Sequence, residues 1–536
     1  MADIPTLVPA PDVADAETQS DVARLHQLGY AQELLRKMSG FSNFAVSFTI
    51  ISILSGCLTL YLYGMNTGGP VVMTYGWPLV GLFVIIVGLG MAELASAYPT
   101  AGGLYYWSAK LGGTNGPAWS WFTGWFNVLG QVAVTAGIDF GLASFVTAYL
   151  NLVWGFDANQ NNTIFIFGVV LFIHALLNTF GVRVVALFND VSVWWHILGV
   201  LVIVGALLII PDHFMPSHHQ TVSFLFTKFV NNTGFGAGIY VFALGLLLSQ
   251  YTFTGYDASA HMTEETKDAA RTAPVGIVMS IVVSLVAGWI LLLGLTFAIQ
   301  NYDAERASST GVPPAQIFID AIGFRGGLFL LLVVIGAQFF CGMASVTANS
   351  RMIYAFSRDG ALPGSSFWHR INKRTRTPTN SIWLAAVAAF LLGVPYLWNV
   401  TAYGAVTSIA TIGLYIAYVM PVFLRLRAGD SFERGPWHLG RWSRPVGMIS
   451  VGWVVFITIL FMLPQVTPIT RDTFNYASVA VGVVVLFAGG WWLLSARTWF
   501  KGPRVQGTPE ELAAIERELS GPGSRLPAGA PAAGGE

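Results

Sequence analysis

Charge is what this chain has least of. Asp, Glu, Lys and Arg together make up 10% of its residues, where a soluble domain carries about 25%. Beside 54% apolar residues, that leaves too little polar surface for a water-soluble globule, and the chain belongs in a membrane. Cysteine is nearly absent. Cys57 and Cys341 both fall inside apolar segments, which excludes a disulfide framework, a Cys-x-x-Cys metal site and an outer disulfide to a single-span partner. The first forty residues are polar and contain no short apolar core with a small-residue cleavage site, so the N-terminus is expected to be retained. No nucleophile–base pair and no metal-ligand cluster recurs at one membrane depth, so an enzyme is not expected. His213, His218 and His219 have no nearby Cys or acidic ligand, so no metal is expected either. No cofactor, nucleic-acid partner or obligate protein partner is implied.

A window of about twenty residues finds about twelve apolar spans. They lie at 42–64, 77–97, 119–150, 162–180, 188–210, 236–256, 275–300, 325–356, 380–398, 401–424, 447–464 and 474–496. The third and eighth are long enough to be strongly tilted. Assigning loops alternately to two sides leaves only Lys228, Arg306, Arg325 and Arg471, of 27 Lys and Arg, opposite the termini. The 8–9 loop (Arg358, Arg370, Lys373, Arg374, Arg376) and the 10–11 loop (Arg425, Arg427, Arg434, Arg441, Arg444) dominate the other side. The positive-inside bias therefore predicts a multi-pass protein of a plasma or inner membrane with both termini cytoplasmic. The expected parts are a tail over 1–40, mobile over 1–30, a transmembrane unit over 41–498, and a disordered tail over 499–536.

Two of the spans are interrupted by glycine. One interruption is Ile51-Ser-Ile-Leu-Ser-Gly-Cys57, in span 1; the other is Gln250-Tyr-Thr-Phe-Thr-Gly-Tyr-Asp257, in span 6. Lipid cannot satisfy the backbone groups that a break frees, so a break survives only where protein or a wet cavity does. One such glycine alone reads as helix packing. A pair at matching positions of two halves points to the substrate site of a transporter. Spans 1–5 (42–210) and spans 6–10 (236–424) each open on a broken helix and place a long helix third. Five is odd, so the second half enters from the opposite side. The expected fold is an all-α membrane protein with a 5+5 inverted repeat, broken helices 1 and 6, and two extra helices over 447–496.

Several motifs carry a family resemblance. Thr67-Gly-Gly-Pro, Tyr75-Gly-Trp and Ala92-Glu-Leu-Ala-Ser-Ala-Tyr-Pro-Thr-Ala-Gly-Gly-Leu-Tyr-Tyr-Trp107 resemble the amino acid–polyamine–organocation permeases. Thr254-Gly-Tyr-Asp-Ala-Ser-Ala-His-Met-Thr-Glu-Glu-Thr266 with Pro274 is similar to their amino acid/choline transporter branch. So are Ser350-Arg-Met-Ile-Tyr-Ala-Phe-Ser-Arg-Asp-Gly-Ala-Leu-Pro363 and Thr411-Ile-Gly-Leu-Tyr-Ile-Ala-Tyr-Val-Met-Pro421. The resemblance runs from about Gly29 to Trp492. It implies the LeuT-type fold and secondary active import of an amino acid or small amine, in a branch that includes γ-aminobutyrate and choline carriers. A choline- or polyamine-type cation carrier, or an amino acid exchanger, remains the alternative.

A zwitterion crossing hydrocarbon needs partners for both charges. Free N–H groups at the break in span 1 suit a carboxylate, which places Ser55 and Gly56, with Ser52 nearby, in the substrate site. Family members usually carry Gly-x-Gly there; Leu54-Ser55-Gly56 lacks the first glycine, which favours a carboxylate-free substrate. At the span 6 break, carbonyls near Tyr251 and Thr254, with Gly255 and the rings of Tyr251, Phe253 and Tyr256, suit an ammonium group. By resemblance, an aromatic residue there closes over the substrate. Asp139, midway along span 3, is a second candidate for the amine or for a coupling proton, with Gln131 as a further pocket residue.

The coupling ion is H⁺ or Na⁺. Asp257 follows the break where related exchangers place a proton-linked acid. Sodium-coupled relatives use hydroxyls of helices 1 and 8, for which Ser52, Ser345 and Thr347 are available. Other relatives replace that ion with a Lys of helix 5; span 5 here has Trp194, Trp195 and His196 at that position and no Lys. Glu93, Arg358 and Asp359 are expected to form an inner gate, and Glu264 and Glu265 to be solvated loop charges.

Overall fold

A computed structural model describes residues 11–180, 182–211, 216–372, 374–504 and 507–520. Among them the chain forms helices and isolated bridges but no strand. Eleven helices are long and apolar enough to cross a membrane, and a shorter apolar segment, Gly238–Thr252, takes the place of the twelfth. Span 1 runs Gly40–Ile51 and continues as Ile53–Thr59. Spans 2 to 5 are Trp77–Ala97, Gly116–Trp154, Gln160–Phe180 and Val182–Ile209. Span 6 is Gly238–Gly245 with Leu247–Thr252, resuming at Ala258–His261. Spans 7 to 12 are Ala269–Phe297, Phe324–Arg358, Thr379–Gly393, Ala402–Ala428, Ser443–Met462 and Ala477–Trp491.

Spans 3 and 8 have 39 and 35 residues. At 1.5 Å per residue they are about 58 Å and 52 Å long, well beyond the hydrocarbon thickness of about 30 Å, so both must tilt or project. Each is third in its five-span half. The apolar window of span 1 is 83% buried and that of span 12 is 17% buried. Span 1 is thus the centre of the bundle and span 12 its rim, where Leu486 and Leu494 point outwards. Polarity is reversed relative to a soluble protein: the exposed belt is apolar, and Glu93, Asp139, Asp257 and Glu264 are buried.

Both ends of the chain pack against one face of this bundle, the terminal face. Pro11–Gln27 is helical, and so is Pro509–Ser520, inside a tail expected to be disordered. Apolar residues recur at helical spacing in the second of these and bury Leu512. Its Glu516 meets His26 Nε2 at 2.8 Å and accepts the Gln32 N–H at 2.7 Å. Residues 1–10 and 521–536 lie outside the described residues.

Candidate substrate site at two facing helix breaks

Span 1 breaks at Ser52, which adopts the left-handed conformation (φ 35°, ψ 82°). Ser52 lies within the expected interruption, Ile51–Cys57, one turn before the expected donors Ser55 and Gly56. The Ser55 and Gly56 N–H groups both bond to Ser52 O, at 2.8 and 2.9 Å. They are therefore not the free donors expected of them; Ile53 and Leu54 are the first residues of the helix that resumes after the break. Gly56 serves packing instead: a Cβ there would lie 2.6 Å from Thr252 in span 6. Ser52 pays for its strained backbone with a strong side-chain contact, its Oγ lying 2.7 Å from His196 Nε2. His196 Nδ1 sits 2.7 Å from Ser192 O, so that nitrogen carries the proton and Nε2 accepts from the Ser52 hydroxyl. Span 5 therefore clamps the break through His196, one of the three residues expected where some relatives carry Lys.

Span 6 breaks over Phe253–Asp257, with Gly255 at φ 93°. A Cβ on Gly255 would lie 2.1 Å from Ile50 Cγ2, so only glycine lets this backbone approach span 1. Several carbonyls of the break are already engaged. Tyr251 O accepts from the Thr254 hydroxyl at 2.7 Å, Phe253 O from Tyr415 Oη at 2.6 Å, and Tyr256 O from Ser47 Oγ at 2.9 Å. The Phe253 ring packs on Trp77, centroids 4.4 Å apart, and Tyr256 on Tyr418 at 4.9 Å. These two rings fill interhelical space. Tyr251 differs: it is buried over Gly137 of span 3, and its hydroxyl has no hydrogen-bond partner among the described residues.

The two deep acids are separated. Gly137 and Gly141, one turn apart, face Tyr251 and Thr59. Asp139 lies two residues from each, about 200° round the helix, and turns to spans 4 and 8. There it meets His174 Nδ1 at 3.0 Å, both side chains wholly buried. A Cβ on Gly342 of span 8 would lie 1.8 Å from Asp139 Oδ1. Asp139 is thus behind the facing breaks and not with the aromatic residues of span 6. Asp257 sits at the break itself. Its Oδ1 accepts from Tyr418 Oη at 2.7 Å, its Oδ2 from Gln131 Nε2 at 2.8 Å, and His261 Nε2 lies 3.2 Å from Oδ2. Sequence reasoning missed both histidines. His261 had a signal, the i,i+4 spacing from Asp257; His174 pairs across spans and had none.

Comparison with known proteins decides the family. The profile described as amino acid permease matches residues 38–486. The chain belongs to the amino acid permease family. It is 47% identical over 504 residues to amino-acid permease BAT1 of Arabidopsis thaliana, covering 90% of this chain and 96% of that protein. The BAT1 homolog of Oryza sativa is 45% identical, with 91% and 97% covered. The GABA-specific permease of Saccharomyces cerevisiae is 31% identical, with 91% and 86% covered.

The remaining expected sites of this permease divide. Ser52 is held by His196, Ser345 Oγ lies 2.9 Å from Thr135 Oγ1 in span 3, and Thr347 donates to Asn178 Oδ1 in span 4 at 2.6 Å. These three hydroxyls do not converge. Span 8 reaches the broken span 1 through Cys341 instead, its Sγ 3.3 Å from Ile50 O. Glu93 stands apart from Arg358 and Asp359, held by Arg425 at 3.2 Å and by the Leu439 N–H and Ser443 hydroxyl before span 11.

Arg358 and Asp359 do form a sealed cluster on the terminal face. Arg358 bonds to Glu264 at 3.2 Å and stacks over Tyr30, 3.9 Å to the centroid. Asp359 accepts from Tyr105 Oη at 2.7 Å, Tyr30 Oη at 3.0 Å and the Arg504 N–H at 3.1 Å. Burial raises the Asp359 carboxyl above its ordinary range, against the opposing pull of Arg358. Glu264 and Glu265, expected in solvent, are buried; Glu265 pairs with Arg351 at 2.8 Å. Their charge suggested a loop surface, but each has a span 8 arginine opposite, a pairing invisible in one dimension. Of the outer histidines, His219 stacks on Phe297 at 4.8 Å and His213 lies outside the described residues.

Proposed function

We propose that this permease imports an amino acid or a close analogue such as γ-aminobutyrate by alternating access, with the substrate between the breaks of spans 1 and 6. The observation that carries this reading is the mutual approach of the two breaks, Gly56 facing Thr252 and Gly255 facing Ile50, which brings the interrupted backbones of spans 1 and 6 to one place. The carboxylate is taken by the Ile53 and Leu54 N–H groups, two residues before the positions first expected. Tyr251, buried with an unpartnered hydroxyl over Gly137, closes this space and meets the substrate's polar end. Asp139 is a scaffold acid paired with His174.

The coupling ion is a proton. Ser52 is engaged by His196, and Ser345 and Thr347 point to other spans, so the hydroxyl set of a sodium site is not gathered here. Asp257, at the span 6 break beside Gln131, Tyr418 and His261, is the acid placed to carry it. The Lys and Arg bias supports cytoplasmic termini in a plasma or inner membrane, which makes the terminal face the inner one.

Thermal unfolding of the purified protein tests this against amino acids, γ-aminobutyrate, choline and polyamines, with and without sodium. A ligand at one hundred times its dissociation constant stabilises by about 2.7 kcal/mol. Stabilisation by an amino acid or γ-aminobutyrate, unchanged by sodium, is expected. A shift with choline or polyamines alone, or one requiring sodium, overturns the reading.

A further inference from the structure

Among the described residues, His261 touches both the span 6 acid and the sealed terminal face. Its Nδ1 lies 3.0 Å from Ala101 O, in the loop that follows span 2. A carbonyl only accepts, so Nδ1 carries a hydrogen. In a neutral ring, Nε2 would then place a bare lone pair 3.2 Å from Asp257 Oδ2, off the hydrogen-bonding line and with no other partner among the described residues. That oxygen also accepts from Gln131, and its neighbour from Tyr418. With both side chains wholly buried, a lone pair against a carboxylate is repulsive in low dielectric, and a proton between them removes the repulsion. The same loop closes the terminal face, because the Ala101 N–H donates to Glu264 Oε1 at 3.0 Å and Glu264 holds Arg358.

We infer that His261 and Asp257 share one proton that locks the terminal face shut, and that its loss unlocks it. Protonated, His261 donates from Nδ1 to Ala101 and from Nε2 to Asp257, tying the substrate break to the gate loop. When the Nε2 proton passes to water, a neutral imidazole and a carboxylate remain, and their repulsion drives His261 off Asp257 and loosens Ala101, Glu264 and Arg358 together. Opening on that face thus delivers the proton with the substrate.

The surroundings fit this role. From the turn after the break, Glu264 and Glu265 face Arg358 and Arg351 of span 8, while Arg36 covers the Thr263 and Thr266 carbonyls. The helix Gly103–Leu111 brings Tyr105, bonded to Asp359, and Tyr106, bonded to Leu28 O. Spans 1 and 7 bring the uncharged Asn43, Ser47 and Gly276. Glu264, Glu265 and Arg36 each have an opposite charge in Arg358, Arg351 and Asp21, and Asp359 is held by Tyr105, Tyr30 and the Arg504 N–H; the Asp257–His261 pair is the one of these that reaches the break.

The inference deepens the proposed function and rests on its proton coupling, but its test reads the gate directly. In full-length protein in proteoliposomes with both buried native cysteines replaced by Ser, Ala101→Cys is labelled by a thiol reagent across pH 5.5 to 8. Labelling, divided at each pH by the rate for the same Cys in detergent-unfolded protein to remove the thiolate's own rise, should accelerate as pH rises, by up to about tenfold per pH unit, the limit for one linked proton. His261→Gln, which can still donate to Ala101 O, and Asp257→Asn should each abolish that pH dependence. A single cooperative thermal unfolding transition checks that His261→Gln is folded; a His261→Asn variant replaces it if it is not. A flat profile in the parent protein, or a retained slope in both variants, overturns the inference. A normal slope without uptake driven by a pH gradient would support the gate and refute the coupling assigned under the proposed function.

Discussion

Gly342 illustrates how little room a buried acid has in this bundle. Any side chain there would meet Asp139 at 1.8 Å and His174 at 2.6 Å. Gly342→Ala should therefore lower stability by about 1–3 kcal/mol, the ordinary cost of overpacking. Gly452→Ala on span 11, where nothing lies within 4 Å, should change it by less than about 0.5 kcal/mol. Thermal unfolding in detergent separates the two. Asp139 also marks the limit of reading residues singly. Its depth was legible, since one acid stood mid-way along an apolar run, but its direction was not. A shift of two residues turns a helical side chain about 200°, from the substrate face to the scaffold face.

At the level of helices, the breaks in spans 1 and 6 are one unit rather than two. Gly56→Ala should impair both stability and uptake by pressing on Thr252, and Thr252→Ala should restore part of the loss. A double-mutant cycle on thermal stability is expected to give a coupling of about 0.5–3 kcal/mol. Additivity would mean that the breaks do not touch. The short helix Tyr302–Arg306, between spans 7 and 8, offers a pH test remote from the site. Burial, opposed by the Gln300 N–H, pushes the Glu305 carboxyl from 4.5 up to about 8. The folded form thus holds a proton that the unfolded form releases. The resulting stabilisation is complete below 4.5 and lost as pH rises through 8. Glu305→Gln should flatten that part of the pH–stability curve and raise the melting temperature above pH 8. An unchanged curve would show that this carboxyl is not held neutral. The existence of the helices was readable from apolar run length. The exact break was not, because Ser52 rather than a glycine adopts the left-handed conformation, and His196 in another span holds it there.

Across the whole molecule, the terminal face is closed by groups far apart in sequence. Glu264, Arg358, Asp359 and the Arg504 N–H meet there with Tyr30 and Tyr105. Glu264→Gln leaves Arg358 buried and uncompensated, so it should cost about 3–5 kcal/mol and open the face to thiol labelling. Glu264→Gln with Arg358→Gln should recover part of that stability, since no lone charge remains. If the single and double variants melt alike, the pair is not what seals the face.

By itself the sequence determined what depends on run length, charge bias and local motif. Those are the membrane class, the order of spans, the two interrupted helices in matching positions and the family that the profile confirms over residues 38–486. Each follows from the solvent, because lipid demands long apolar helices whose backbones satisfy themselves. Only the tertiary structure decided which way Asp139 faces, that His196 and His261 hold the two breaks, that Ser345 and Thr347 part company, and that Glu264 is buried against Arg358. Those facts depend on the rotation of each helix about its axis and on contacts between distant spans. The hydrophobic pattern that positions helices in lipid constrains neither closely.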